Sequence, residues 1–255
     1  MPNSSISEQM IRKLRTRGNI DDADCRAIRA LNPVRRTYEA PAYILREGEP
    51  PRRTCSFVVA GLAFRQKLAA NGARQIVSIH MAGDFLDLQH LFLHTADHSV
   101  QALTRLECAE IDREALQQLV TEHPAIARAM WVDALVDGSI FREWILNVGR
   151  RDARTRVAHL LCEFALRMEA AGIAEHHRYE LPMTQEQLAD SLGLTAVHVN
   201  RTLKALEAEG LIKRTKRVLA VPDLLRLQHA ADFNSGYLHL RIADERTSKL
   251  LPLCA

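Results

Sequence analysis

The chain has 255 residues, of which 47% are hydrophobic and 25% are charged, and its formal net charge is +3. This composition is typical of a globular protein and excludes a disordered chain, and the length suffices for two domains. No apolar run reaches the roughly 18 residues that cross a membrane, and the N-terminus lacks the apolar core of a signal peptide. We therefore expect a cytoplasmic protein without a membrane partner.

The five cysteines show no pairing pattern. They are scattered along the chain and form no C-x-x-C motif: Cys25, Cys55, Cys108, Cys162 and Cys254. An odd number without metal-ligand spacing argues against a disulfide framework, a zinc site and an iron–sulfur site. We interpret these residues as reduced, partly buried thiols, and we predict no metal site.

The N-terminal part of the chain changes from a helical to a strand pattern. Residues 7–31 carry apolar residues at helical spacing. Over residues 38–112, short apolar runs alternate with Gly, Pro and Asn, which predicts a β-sandwich or β-roll. Asn71-Gly72 lies between two such runs and predicts a hairpin.

A single long helix is predicted over residues 124–150, with Pro124 in its first turn. Apolar and small residues recur along it at alternating spacings of four and three, as in a coiled coil. One interpretation packs this stripe inside its own domain. We favour a dimer seam between two copies of the helix, formed by Trp131, Ala134, Gly138, Phe141, Ile145 and Val148.

The segment after Gly149 reads as a joint followed by a second helix at Thr155–Met168 and a loop over residues 169–181. Thr184 with Gln187 then fits a capping box that opens a short helix. Gly193 suits a tight turn, Thr195 caps the next helix, and Gly210 closes it. Two helices joined by a short Gly-containing turn predict a helix-turn-helix, with a small core of Leu188, Val199, Leu203 and Leu206.

The polar face of the second helix is the predicted reading surface for DNA. Its residues near the N-terminal end are Thr195, Val197, Asn200, Arg201 and Lys204. Arg201 matches guanine O6 and N7, whereas Lys204 and the backbone N–H groups near Thr195 suit phosphates. A β-hairpin wing follows, with four cations predicted at its tip to bind the phosphate backbone: Lys213, Arg214, Lys216 and Arg217.

These features resemble the Crp/Fnr family of bacterial transcription regulators over nearly the whole chain. The matching segments are ILREGEPP at 44–51, MAGDFLDLQHLF at 81–92, RDARTRVAHLL at 151–161 and TQEQLADSLGLTAVHVNRTLKALEAEGLI at 184–212. The last segment is the most specific. In this family a cyclic-nucleotide-binding-like β-roll precedes a long dimer helix and a winged helix-turn-helix.

The resemblance implies an α+β protein with three parts: a β-roll with N-terminal helices over residues 1–122, a dimerisation helix over 123–150, and a winged helix-turn-helix with a C-terminal extension over 151–255. It implies a homodimer that binds a palindromic operator in double-stranded DNA and responds to a small-molecule effector in the roll. RNA polymerase is a candidate partner, and no cofactor is assigned.

The candidate effector pocket departs from the family pattern. Members that bind cyclic AMP carry a Gly-Glu pair and an Arg-Ser pair for ribose and phosphate. This chain has Asp87 and Leu88 at the first pair of positions, and His98 and Ser99 at the second. A cyclic phosphate would lose its charged partner, so we expect an effector other than cyclic AMP.

Further departures concern metals and base recognition. Oxygen-sensing members carry clustered N-terminal cysteines, whereas this chain has only Cys25 in that region. Val197 replaces a glutamate found in many members, so it cannot accept from cytosine but can pack on a thymine methyl. His90, His94 and His98 would share a face if helical, but we interpret them as exposed histidines without a metal or haem.

Two alternatives remain beside an effector-modulated regulator. The first keeps DNA binding but treats the roll as a ligand-free dimerisation scaffold, which Leu88 favours. The second is an enzyme or small-molecule-binding protein. No nucleophile motif, P-loop, Rossmann glycine pattern or H-E-x-x-H zinc motif is present, so we predict no catalytic residue.

Overall fold

A computed structural model describes residues 2–174 and 176–240 of the chain. The N-terminal region forms two helices, α1 (Pro2–Arg15) and α2 (Asp22–Ala30). Asp21 and Asp24 form a capping box that starts α2 and so explains the break. The apolar side of α1, including Ile6 and Met10, is fully buried.

Seven strands follow and form a β-roll of two antiparallel sheets, which confirms the predicted strand region. The strands are β1 (Val34–Tyr38), β2 (Tyr43–Leu45), β3 (Thr54–Ala60), β4 (Ala63–Leu68), β5 (Arg74–His80), β6 (Ser99–Ala102) and β7 (Leu106–Asp112). One sheet has the order β1-β7-β3 and the other β2-β6-β4-β5. The predicted hairpin joins β4 to β5, with Gly72 at a φ of +82°.

Helices α3 (Arg113–Glu122) and α4 (Pro124–Arg150) leave the roll. The bounds of α4 match the predicted long helix. Its buried side packs on the chain's own cores through residues such as Met130, Ile140 and Trp144. The opposite side exposes Trp131 at 64% and Ile145 at 73%.

The C-terminal half contains α5 (Ala153–Ala170), α6 (Gln185–Leu192), α7 (Ala196–Ala208) and α8 (Leu224–Ala230), with a sheet of three strands. Those strands are β8 (Arg178–Glu180), β9 (Lys213–Thr215) and β10 (Val218–Ala220), in the order β8-β10-β9. The expectation of a loop over 169–181 was therefore wrong at two places, because α5 extends to Ala170 and β8 covers Arg178–Glu180. Strand β8 is only three residues long and forms because it pairs with β10, a partner about 40 positions away.

None of the described helices is long and apolar enough to span a membrane. Four cysteines are buried and unbridged, namely Cys25, Cys55, Cys108 and Cys162, whereas Cys254 lies outside the described residues. The division into domains at 122/123 and 150/151 stays a prediction.

Candidate nucleic-acid interface

The helix-turn-helix is built by local capping. The backbone N–H of Gln187 donates to Thr184 Oγ1 at 3.1 Å, and Gln187 Oε1 accepts from the Thr184 backbone N–H at 2.9 Å. This capping box starts α6 as predicted. Gly193 ends it at a φ of +62°, and a Cβ there would lie 3.1 Å from Val148 of α4. The turn therefore requires glycine both for its backbone conformation and for the close approach of α4.

Helix α7 presents the predicted reading face to solvent. Thr195 caps it, because its Oγ1 accepts from the backbone N–H of His198 at 3.2 Å. All four residues of the predicted small core are buried: Leu188, Val199, Leu203 and Leu206. On the opposite side Val197 is 81% exposed, and Arg201 and Lys204 are exposed beside it. The packing of the two helices thus fixes which side of α7 is free to enter a groove.

Asn200 differs from its neighbours because it is half-buried and bonded to α6. Its Nδ2 donates to Oε1 of Gln185 at 3.0 Å. Gln185 is therefore a residue of this surface that the sequence analysis missed. The available signal was its place directly after the Thr184 cap, which puts it beside the start of α7 once the two helices cross.

The wing separates its four cations into two groups. Lys213, Lys216 and Arg217 are exposed, and the turn between β9 and β10 holds Lys216 at a φ of +56°. Arg214 instead turns back to α7 and forms a salt bridge with Glu207. That hydrogen-bonded contact lowers the pKa of Glu207. Strand β9 already includes Lys213 and Arg214, so the tip itself holds Lys216 and Arg217.

The four candidate effector residues do not face one cavity. Leu88 and His98 line a cavity of about 1780 Å³ bounded by the roll, α1, α4 and the C-terminal residues 238–240. Asp87 lies inside the roll, where its Oδ1 accepts from the backbone N–H of Ser56 at 2.8 Å and burial raises its pKa to about 7. Ser99 Oγ accepts from the backbone N–H of Glu47 at 3.0 Å.

The three spaced histidines do not share a helical face. Only Leu88–Leu91 forms a short 3₁₀ turn. His90 is buried there, His94 is exposed, and His98 is buried with Nδ1 2.7 Å from Asp97. The expectation that all three are exposed was wrong for His90 and His98, because the segment folds back against the roll. Within the described residues, no group of three or more acidic, His or Cys side chains is arranged to hold a metal ion.

Two domain profiles match the chain. The cyclic nucleotide-binding domain matches residues 35–123, and the Crp-like helix-turn-helix domain matches residues 155–230. The transcriptional activator protein FnrL of Cereibacter sphaeroides is 31% identical over 208 residues, which cover 80% of this chain and 83% of FnrL. The chain belongs to the Crp/Fnr family of transcription regulators. It is therefore a DNA-binding regulator rather than an enzyme.

Other members of the Crp/Fnr family agree with this assignment. The nitrogen fixation regulation protein FixK of Bradyrhizobium diazoefficiens is 30% identical and covers 70% of this chain and 75% of FixK. The solved structure of FixK2 from Bradyrhizobium japonicum superposes with a TM-score of 0.72 at 26% identity, over 78% of this chain and 98% of FixK2. Helices α1 and α2 and the residues after 230 lie outside both matched domain profiles.

Proposed function

We propose that this Crp/Fnr regulator acts as a homodimer that reads a palindromic operator through two copies of α7. The observation that carries the proposal is the exposed face of α7 next to a basic wing. Arg201, Lys204, Lys213, Lys216 and Arg217 form no salt bridge with any residue that the structure describes. Cations left free in this way are available to bases and phosphates.

The contacts within one half-site follow from the chemistry of each side chain. Arg201 reads guanine through O6 and N7, and Val197 packs on a thymine methyl. Asn200, held by Gln185, contacts an adjacent base or phosphate. The phosphate backbone is bound by Lys204, by the backbone N–H groups that follow Thr195, and by Lys213, Lys216 and Arg217. Arg214 supports the wing by its bond to Glu207.

The homodimer is supported by the side of α4 that the single chain leaves exposed. Trp131, Leu135 and Ile145 are 64%, 56% and 73% exposed, and Ala134 lies between the first two. The other predicted seam residues, Phe141, Gly138 and Val148, are half-buried. An apolar surface of this length on one helix is typical of an interface with a second helix.

Substitution of Ile145 by Asp tests the dimer, because this exposed side chain supports little of the chain's own fold. We expect Ile145→Asp to bury a charge between the two α4 helices and to give monomers in analytical ultracentrifugation. Leu225→Asp is the matched control, since Leu225 is 77% exposed on a different helix, α8. Dimeric Ile145→Asp would contradict the proposed seam.

The effector is proposed to bind in the cavity lined by Leu88 and His98, and not to be cyclic AMP. Structural neighbours of similar fold include a c-di-GMP responsive regulator from Xanthomonas campestris and CprK complexed with OCPA. A roll that serves only as a dimerisation scaffold is the alternative. Calorimetry against cyclic AMP, haem and divalent metals separates them, and we expect no cyclic AMP binding. RNA polymerase as a partner and a cytoplasmic location stay predictions.

Selection of bound DNA from a random library tests the proposed function as a whole. We expect an inverted repeat whose half-sites are about one helical turn, or 34 Å, apart. Arg201→Ala protein should select the same repeat with one relaxed position per half-site. Selection of a single unrepeated site by the wild-type protein would contradict the palindromic dimer.

A further inference from the structure

The segment after α8 lies outside both matched domains and contacts several distant parts of the chain. Residues 231–240, here called the C-terminal strap, follow the helix-turn-helix match, which ends at residue 230. The strap crosses α5 and α4 and reaches the N-terminal region, where Arg17 Nη1 donates to the carbonyl oxygen of His239 at 3.1 Å. It contains a short 3₁₀ turn at Ser235–Leu238, and Leu238 is buried.

A buried carboxylate joins the strap to both long helices. Glu163 of α5 is 2% exposed. It accepts from Trp144 Nε1 of α4 at 3.0 Å, from Arg167 of α5 at 3.1 Å and from the Tyr237 hydroxyl of the strap at 2.8 Å. A buried charge is costly unless it is fully hydrogen-bonded, so this site favours one arrangement of α4, α5 and the strap.

A second link lies one turn earlier on α5. His159 is 1% exposed, and its ring packs against Phe233 at a centroid distance of 4.8 Å and stacks on Tyr237 at 5.8 Å. Its Nε2 lies 3.2 Å from Glu143 of α4. Burial lowers the pKa of His159 to about 3, so this ring is neutral and packs as an apolar group at neutral pH.

The joint between α4 and α5 consists of Arg151 and Asp152 alone. Arg151 binds Glu143 of α4 at 2.7 Å and donates to the carbonyl oxygen of Asp232, at the start of the strap, at 3.2 Å. The direction in which α5 leaves α4 sets where α7 lies. The direction of α5 relative to α4 is therefore held by contacts to the strap as well as by the joint.

We propose that the strap is a positioning element for DNA binding, with Phe233 and Tyr237 as its positioning residues. By fixing α5 on α4, it holds the two recognition helices at the separation that a palindrome requires. The inference rests on the proposed homodimer. The strap increases affinity only when both half-sites are bound. Once the first half-site is bound, a fixed geometry raises the effective concentration of the second recognition helix at the second half-site.

The test uses the full-length protein with Tyr237→Phe, Phe233→Ala and the double variant. Tyr237→Phe keeps the ring on His159 and removes only the hydroxyl that binds Glu163. The affinity of each protein is measured for a single half-site and for palindromes whose spacers are lengthened or shortened by one and two base pairs. Leu225→Ala serves as the control, since Leu225 is exposed on α8 of the same domain.

We expect the double variant to bind the half-site like the wild type, to bind the palindrome about tenfold more weakly, and to discriminate less between spacers. Tyr237→Phe should show a smaller change of the same kind. The positioning role would be overturned if the ratio of palindrome to half-site affinity stayed the same, whether neither affinity changed or both fell equally. Wild-type protein that binds the half-site as tightly as the palindrome would contradict the homodimer itself, and the inference with it.

Discussion

Two regions of the molecule carry the same types of cationic residue in opposite environments: the cavity lined by Leu88 and His98, and the DNA-binding face of α7 and the wing. At the cavity, Lys13 pairs with Asp84 and Asp133, and Arg167 pairs with Asp84 and Glu163. Their side chains are 15% and 12% exposed. On the DNA-binding face, Arg201 and Lys216 are exposed and form no salt bridge among the described residues.

This difference separates a structural from a functional use of charge. A buried cation must be paired, and the pair then fixes the elements that carry it; here Asp84 of the roll binds both α1 and α5. An exposed cation contributes little to stability when paired, so leaving it free costs the fold little and keeps it available for phosphates. Substitutions in the two regions should therefore change different quantities.

Among these substitutions, Arg167→Ala is expected to have the largest effect, a decrease in the free energy of unfolding. It removes the cationic partner of the buried Glu163 carboxylate and one of the two cations that pair with Asp84. The breaking of a buried pair costs roughly 3–5 kcal/mol. Urea denaturation should show a lower free energy of unfolding, with weakened DNA binding only where the fold is lost. A stable variant with selectively altered base preference would contradict the structural role.

Asp87→Asn should change the pH dependence of stability. Burial raises the folded-state pKa of Asp87 from 3.8 to about 7. The folded state therefore favours the protonated form, whose contribution is fully present below about pH 4 and is lost as the pH rises through 7. We expect the stability of Asp87→Asn relative to the wild type to increase between about pH 4 and pH 8, by on the order of 4 kcal/mol.

Unfolding titrations of both proteins at several pH values provide the measurement for Asp87. Buried His80 and His159, each with a pKa lowered to about 3, have the opposite sign, because their neutral forms stabilise the fold above about pH 6.5 and are lost as the pH falls. Both histidines are present in the wild type and in Asp87→Asn, so their contributions cancel in the stability difference between the two proteins. A pH-independent difference would show that Asp87 keeps an ordinary pKa.

Arg201→Ala should leave the fold intact and alter sequence recognition. We expect a loss of about 1–3 kcal/mol per half-site and relaxed preference at one base pair, since the bidentate contact to guanine is removed. The measurement is a binding titration against operators with single base changes. Uniform weakening on all of them would identify Arg201 as a phosphate contact instead.

Lys216→Ala should have the smallest effect on stability and affinity, and it should leave the base preference unchanged. Because its contact is to phosphate, affinity should fall by a similar factor for every sequence, and the slope of log affinity against log salt should decrease by about 1. Arg214→Ala is the informative companion, since Arg214 is bound to Glu207. We expect that variant to loosen the wing and to leave the salt slope nearer the wild-type value.

Local signals in the sequence predicted much of the DNA-binding domain. Caps and turns depend on residues a few positions apart, so Thr184, Gly193 and Thr195 predicted α6, the turn and α7 correctly. Periodicity likewise predicted the bounds of α4. The exposed side of α7 followed from the same spacing, because one helix can bury only one face of this width.

The sequence by itself determined α4, α6, α7 and the polar face of α7, because each depends on neighbouring residues. Only the tertiary structure decided that β8 pairs with β10, that Arg214 returns to Glu207 while Lys216 stays free, and that Asp87 and His98 face different surroundings. It also brought Tyr237 to Glu163, 74 positions away. Such contacts are absent from the local pattern because they depend on how distant elements pack, and on which polar groups are then left buried and in need of a partner.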